Sequence, residues 1–252
     1  MPKNFTNCLY YDKTRKYINN NYQIIDIVDC NDKYIETQQD TIIFIVKKLE
    51  QKLEQKLETI DNTEFILNIN DYTIIGNRTN ISKLKTLYTS STTLNKLGFK
   101  VSVGTVVWNQ NKDILTDDIT KTRLIYSSDI KNNKLVTTKY SNKAKKNYIN
   151  DTNKKTQEIM LVINRGYGVG NYKLNYCLID VDFNYLVENH LICITYNKTT
   201  EKKELLRIFM KIIESLEDER TTDFINNYFG NNAINTTELN YILPIYKGAS
   251  PF

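Results

Sequence analysis

Gly98-Phe-Lys-Val-Ser-Val-Gly-Thr-Val-Val-Trp-Asn-Gln-Asn-Lys-Asp113, answered by Arg123-Leu-Ile-Tyr-Ser-Ser-Asp129, sets two short apolar runs of strand type around a polar crest. The crest follows Trp108, the only tryptophan in the chain, and carries Asn109, Gln110, Asn111 and Lys112. One reading is a β-hairpin with a polar turn. The other is a contact surface: amide side chains pair with adenine edges, and lysine reads guanine or holds a phosphate.

Charge separates the middle of the chain from its flanks. Of 252 residues with formal net charge +5, residues 1–94 balance 12 basic against 12 acidic groups. Residues 95–175 carry 15 against 6, and residues 176–252 carry 7 against 11. A compositional drift toward Lys, Asn, Ile and Tyr explains many lysines, but not why acids avoid one third of the chain. A basic centre between a neutral and an acidic flank suits a polyanion.

Cys8, Cys30, Cys177 and Cys193 are widely spaced, and with the single histidine, His190, they make no zinc set. They read as reduced thiols, in the core or half-buried, of an intracellular protein. No apolar run is long enough for a bilayer, and no charged-then-apolar leader opens the chain, so neither membrane nor export is expected.

Outward from the centre, the pattern alternates strands and helices. Tyr10–Asn20 reads as a helix, Gln23–Cys30 and Asp40–Val46 as strands, the second apolar enough to want cover on both faces. Lys47–Glu58 repeats Lys-Leu-Glu-Gln with Leu49, Leu53 and Leu57 on one stripe, a surface helix or spacer. Phe65–Ile75 returns to strand pattern. Ile81, Leu84, Leu87 and Tyr88 mark a helix, and Thr92–Leu97 a short one closed by Gly98.

Lys131–Lys155 is polar and basic, a solvated loop or a phosphate-holding surface with Lys143, Lys145 and Lys146 among Tyr140 and Tyr148. Glu158–Asn164 is a strand. The following Arg165-Gly-Tyr-Gly-Val-Gly170 has the wrong glycine spacing for a dinucleotide loop and is followed by strand, so it reads as a turn lifting Arg165 and Tyr167 off a sheet edge. His190 reads as a hydrogen-bonded structural residue ahead of strand Leu191–Tyr196. Thr200–Leu216 is the clearest helix, with Leu205, Leu206, Phe209, Ile212, Ile213 and Leu216 on one face. Burying those six contributes roughly 9–18 kcal/mol before conformational entropy is set against it. Thr222–Phe229 is a second helix, and Asn235-Thr-Thr-Glu238 has capping-box character.

Several of these stretches, in this order, resemble adenine-specific (N6) DNA methyltransferases of the TaqI type, from restriction–modification systems and large DNA viruses. Pro2-Lys-Asn-Phe-Thr-Asn with Tyr-Tyr-Asp-Lys-Thr-Arg-Lys-Tyr17 is similar to a strand–helix step late in their catalytic domain. Val-Gly-Thr-Val-Val-Trp-Asn-Gln-Asn-Lys-Asp113, the Asn-Arg-Gly-Tyr-Gly run and Glu-Asn-His190 resemble their target-recognition region, and the Phe-Ile-Asn-Asn-Tyr-Phe and Leu-Pro-Ile segments resemble how such chains end. The resemblance implies base flipping, S-adenosylmethionine in a complete enzyme, and an aromatic lining the flipped-base pocket at the place of Tyr34. It also shows what is missing. The three prolines, Pro2, Pro244 and Pro251, form no Asn-Pro pair, so the Asn-Pro-Pro-Tyr loop that grips the adenine amine is absent, as is the glycine-rich cofactor loop.

The expectation is therefore an α+β chain: an incomplete Rossmann-like α/β piece over 1–47, a helical linker over 48–60, and a mixed-sheet, target-recognition-like domain with C-terminal helices over 61–252. Double-stranded DNA would meet Trp108, Asn109, Gln110, Lys112, Lys143, Lys145, Lys146, Arg165 and Tyr167. No catalytic residue, cofactor or metal is assigned to this chain alone, and methyl transfer would need a second chain bearing the missing loops. Two alternatives stay open: a stand-alone DNA-binding or regulatory remnant, and a scaffold that binds an acidic protein.

Overall fold

Short 3-10 turns over Lys3–Thr6 and Leu9–Tyr11 lead into helix α1, Asp12–Asn21, in a computed structural model that describes residues 1–30, 40–48, 60–151, 155–165, 174–228 and 234–246. Strands β1 (Tyr22–Cys30) and β2 (Thr41–Lys48) follow and pair antiparallel, with Val28 opposite Ile43 and an irregularity at Ile25. Lys47 and Lys48 thus continue a strand opposite Gln23 and Tyr22 rather than opening a helix. The rest of the expected helix, over 49–58, lies outside the described residues.

Alternation along these strands sends Ile24, Ile27 and Ile42 onto Phe65, Ile66 and Ile75. It leaves Ile43 at 53 % and Ile45 at 45 % exposure on the opposite face, so β2 is covered on one side rather than two. Buried polar groups brace this N-terminal region. Fully buried Arg15 donates Nε to Thr73 O at 2.5 Å and Nη1 to Phe5 O and Cys8 O at 2.9 and 2.7 Å. Asn62 stands beside β1 as a missing strand would, accepting from Ile24 N at 2.7 Å and donating to Tyr22 O at 2.9 Å.

The run 65–75, read as one strand, is a hairpin: β3 (Ile66–Ile69) and β4 (Tyr72–Ile75) flank Asn70 and Asp71, both left-handed at φ 47° and 64°. Two positive φ values with Asn and Asp are the tight-hairpin combination. Helix α2 (Arg78–Thr89) is capped by Asn77, whose Oδ1 accepts from Asn80 N at 2.9 Å. Strand β5 (Ser91–Thr92) and the single turn α3 (Leu94–Leu97) come next, and α3 closes at Gly98 with φ 92°.

The central stretch then departs from the hairpin reading. Strand β6 (Phe99–Val103), a 3-10 turn at Trp108–Gln110, β7 (Leu115–Thr116) and β8 (Thr122–Ile125) lie in order. A hairpin β9 (Ile130–Lys131) and β10 (Lys134–Leu135) turns on Asn132 and Asn133, at φ 51° and 59°, inside a stretch read as loop. Beyond it come β11 (Tyr148–Ile149), β12 (Met160–Asn164), β13 (Tyr176–Ile179), β14 (Tyr185–Val187) and β15 (Leu191–Tyr196). Strands β13-β12-β15-β6 form one four-stranded antiparallel sheet, and β14-β8-β11-β7 a second in which β14 and β8 run parallel.

β6 and β8 therefore belong to different sheets. β6 is claimed over its whole length by β15, Phe99–Val103 opposite Tyr196–Ile192, while the Phe99 ring meets Phe209 edge to face and Tyr196 at a tilt. The chain crosses between sheets at Gly104, whose N–H donates to Leu191 O at 2.9 Å. A side chain there is excluded, since a Cβ would fall 2.2 Å from Glu188 O.

Helices α4 (Lys202–Glu217), α5 (Glu219–Tyr228) and α6 (Thr236–Tyr241), with the short strand β16 (Ile245–Tyr246), complete the described chain. α4 lays Phe209, Ile212, Ile213 and Leu216 on the β6–β12–β15 sheet beside Leu161, Ile163, Ile192 and Ile194. Its stripe runs through partly buried Leu205 and Ile208 rather than Leu206, as the 3.6-residue period requires. At α6 Asn235 Oδ1 accepts from Glu238 N at 2.8 Å, the first half of the expected capping box, and the buried Glu238 carboxyl lies beside Asn235. The whole is α+β with several small sheets.

Candidate nucleic-acid interface

The turn beyond Gly104 is pinned to β14 and the residues after it. Val106 N–H donates to Val187 O at 3.2 Å, and Asn189 N–H donates to Val106 O at 2.9 Å. That places half-buried Trp108 on a small core of Val106, Leu124, Tyr126, Ile149 and Leu186. The turn is closed by Asn111, whose Nδ2 donates to Val107 O at 2.8 Å. Asn109 and Gln110 are left exposed at its crest. Of the amides singled out in the sequence, Asn111 braces the turn and the other two face outward.

Two lysines from separate stretches converge on the indole. Lys112 Nζ lies 5.7 Å and Lys145 Nζ 6.0 Å from the Trp108 ring centroid. Lys145 is the better held, 4.0 Å from the Tyr126 centroid and 4.5 Å from that of Tyr140. These two rings meet edge to face at 5.2 Å. Such contacts draw a cation to the negative faces of the rings. Burial holds the Lys145 ammonium below the usual lysine range, with the Glu188 and Asp129 carboxylates pulling the other way.

Beneath the rings lies a buried ion pair that the sequence reading did not assign. Arg123 Nη2 meets Asp129 Oδ2 at 2.8 Å, and Arg123 Nη1 donates to Leu124 O and Asn147 O at 2.5 and 2.8 Å. Asp129 also accepts from Tyr126 N at 3.1 Å, Thr138 N at 3.2 Å and Tyr140 OH at 2.9 Å. This one carboxylate thereby fixes both tyrosines that carry Lys145. Burial pushes both phenols above the usual tyrosine range, so they stay neutral donors. An arginine inside the apolar run Thr-Arg-Leu-Ile-Tyr126 was the available sign of a buried charge needing a partner.

The remaining expected contacts are divided. Lys143 is exposed, whereas Lys146 Nζ pairs with exposed Asp117 at 2.5 Å, and its carbonyl accepts Tyr126 OH at 2.8 Å. Arg165 is half-buried just past β12, after Asn164, which pairs with Leu191 and donates to Ser127 O at 3.5 Å. The Asn164–Arg165 corner and the Glu188-Asn189-His190 turn thus occupy neighbouring strand ends. Tyr34, Tyr167 and the glycines of 166–170 lie outside the described residues. Lys121 and Lys155 line a separate cleft of about 550 Å³ with Arg123, Tyr148 and Phe183.

Glu188, buried, accepts from His190 N–H at 3.0 Å and contacts His190 Nδ1. Burial raises the thiols of Cys177 and Cys193, the latter to about 12, which makes them poor nucleophiles. Among the described residues no cluster of three or more His, Cys, Asp or Glu could hold a metal ion, and no helix is long and apolar enough to cross a membrane. No protein-family model matches the chain, and no curated protein matches it.

Proposed function

We propose that this chain is a DNA-recognition module, with duplex DNA held on the surface around Trp108. The supporting observation is the gathering of Lys112 and Lys145 on one indole ring beside exposed Asn109 and Gln110. The pedestal of Tyr126, Tyr140 and Trp108 holds a cation in place before any partner arrives, which lowers the ordering cost of binding. The lysines would grip phosphates, and the two amides would reach base edges. A gel-shift competition tests this: duplex DNA should retain the protein against heparin, and equal displacement by heparin argues for a general polyanion or acidic-protein scaffold instead.

In the wider reading, residues 1–47 are the late strands of a methyltransferase-like domain, and the module serves an adenine-N6 DNA methyltransferase dependent on S-adenosylmethionine. These 252 residues hold no Asn-Pro pair, so the loop that grips the adenine amine would be supplied from outside them, in the split-enzyme reading by a second chain. The outward Ile25, Val28, Ile43 and Ile45 of β1 and β2 favour such a partner over a stand-alone remnant, because apolar sheet faces of this kind mark association surfaces. Calorimetry of the purified chain with S-adenosylmethionine should show no binding; micromolar affinity overturns the split-enzyme reading.

A further inference from the structure

The Glu188–His190 turn stands beside the lysine pedestal and carries chemistry that the DNA reading leaves unused. Glu188 is 2 % exposed, while the His190 side chain is 51 % exposed. With Nδ1–H donating to the Glu188 carboxylate, the ring presents Nε2 outward. Glu188 N–H donates to Ile125 O at 2.9 Å, which sets Glu188 beside Tyr126, the ring that carries Lys145 4.0 Å from its centroid. Lys145 rests on aromatic rings and has no acceptor for its ammonium among the described residues. Its donors therefore remain open.

We propose that Lys145, Lys112 and His190 form a proton-coupled anion site for a phosphate group, gated by Glu188. The choice of a DNA phosphodiester as that group rests on the reading above. With His190 neutral, the Glu188 charge offsets Lys145 and weakens its pull on an anion. A proton on His190 pairs the ring with Glu188, restores the outward field of Lys145, and turns Nε2 into a donor.

The other charged neighbours do not substitute for this gate. Asp129 accepts from the OH of Tyr140, whose ring carries Lys145, but is matched by Arg123 at 2.8 Å. Tyr126 and Tyr140 are held neutral by burial. Arg165, one residue past the Asn164–Leu191 pair, adds a fixed positive charge at the same strand end, which does not titrate in this range.

His190 is the only histidine, so its ring signals in proton NMR report the site without assignment. Its titration is followed from about pH 5.5 to about pH 8.5 in chloride, in sulfate at equal ionic strength, and with a short DNA duplex. Sulfate keeps its charge across this range. Binding linkage requires that an anion favouring protonated His190 raise its midpoint, and that duplex affinity be about threefold to tenfold tighter at pH 6 than at pH 8.

His190→Gln should abolish that pH dependence and keep the affinity of pH 8, and Lys145→Met should remove the sulfate-induced shift. An identical His190 midpoint in chloride and sulfate overturns the site. Duplex binding that leaves the midpoint unmoved also overturns it while the DNA reading stands. A sulfate shift with no duplex binding at any pH keeps the anion site and overturns DNA as its ligand.

Discussion

Arg123 and Asp129 form an ion pair, Nη2 to Oδ2 at 2.8 Å, with side chains 6 % and 0 % exposed, and Asp129 is the joint between the second sheet and the rings under Lys145. Asp129→Asn keeps the shape but removes the charge that answers a buried guanidinium. Breaking such a pair from one side costs about 3–5 kcal/mol. Urea unfolding should show a loss of that size. A loss under about 1 kcal/mol would mean that Arg123 is stabilised well enough by its carbonyl partners alone.

Lys145 and Lys146 are adjacent in sequence but differ in surroundings, and the difference gives a matched test. Lys145 is mounted on Tyr126 and Tyr140, while Lys146 is engaged by Asp117. Lys145→Ala should weaken duplex binding about tenfold and reduce the salt slope by about 1. Lys146→Ala should do much less. Equal effects, read by fluorescence anisotropy, would show that position on the rings is irrelevant.

Gly104 allows the crossing between sheets. Gly104→Ala sets a methyl group against the Glu188 and Val187 carbonyls, at 2.2 and 2.5 Å. Both obstacles are backbone, so relief requires moving β14 or the Trp108 turn. A destabilisation of about 2 kcal/mol or more is expected in chemical denaturation, accompanied by a change in tryptophan fluorescence.

Glu238 predicts a pH dependence of stability. Burial raises its carboxyl from 4.5 to about 7, opposed only in part by Asn235 and Arg15. A raised folded value means that the native state holds the proton more tightly than the unfolded chain. Its contribution to stability is present at low pH and is lost as pH rises from about 4.5 to about 7. Glu238→Gln should remove that loss, on the order of 3 kcal/mol, and exceed the wild type above neutrality. Parallel stability curves for the two proteins across this range contradict the assignment.

What could be read from the sequence was local. Helix α4 is legible because Phe209, Ile212, Ile213 and Leu216 recur at helical spacing, and Gly98 because a helix end needs a left-handed residue. The turns at Asn70-Asp71 and Asn132-Asn133 were also legible in principle, as paired residues that tolerate positive φ, but the apolar run and the lysines around them masked the signal. The pairing of β6 with β15 rather than with β8 was not legible. It is decided by partners about ninety residues away, and strand-type residues state no preference among them. The site has the same limit. Trp108, Tyr126, Tyr140 and Lys145 come from three stretches, and only the fold brings their rings together.

On the proposed reading, the basic middle of the chain grips duplex DNA through its phosphates. The measurement closest to it is the duplex binding constant of the intact protein over a sodium chloride series. With two or three lysine contacts, log K should fall linearly with log salt at a slope of about −2 to −3. A binding constant indifferent to salt, or no binding at low salt, contradicts it.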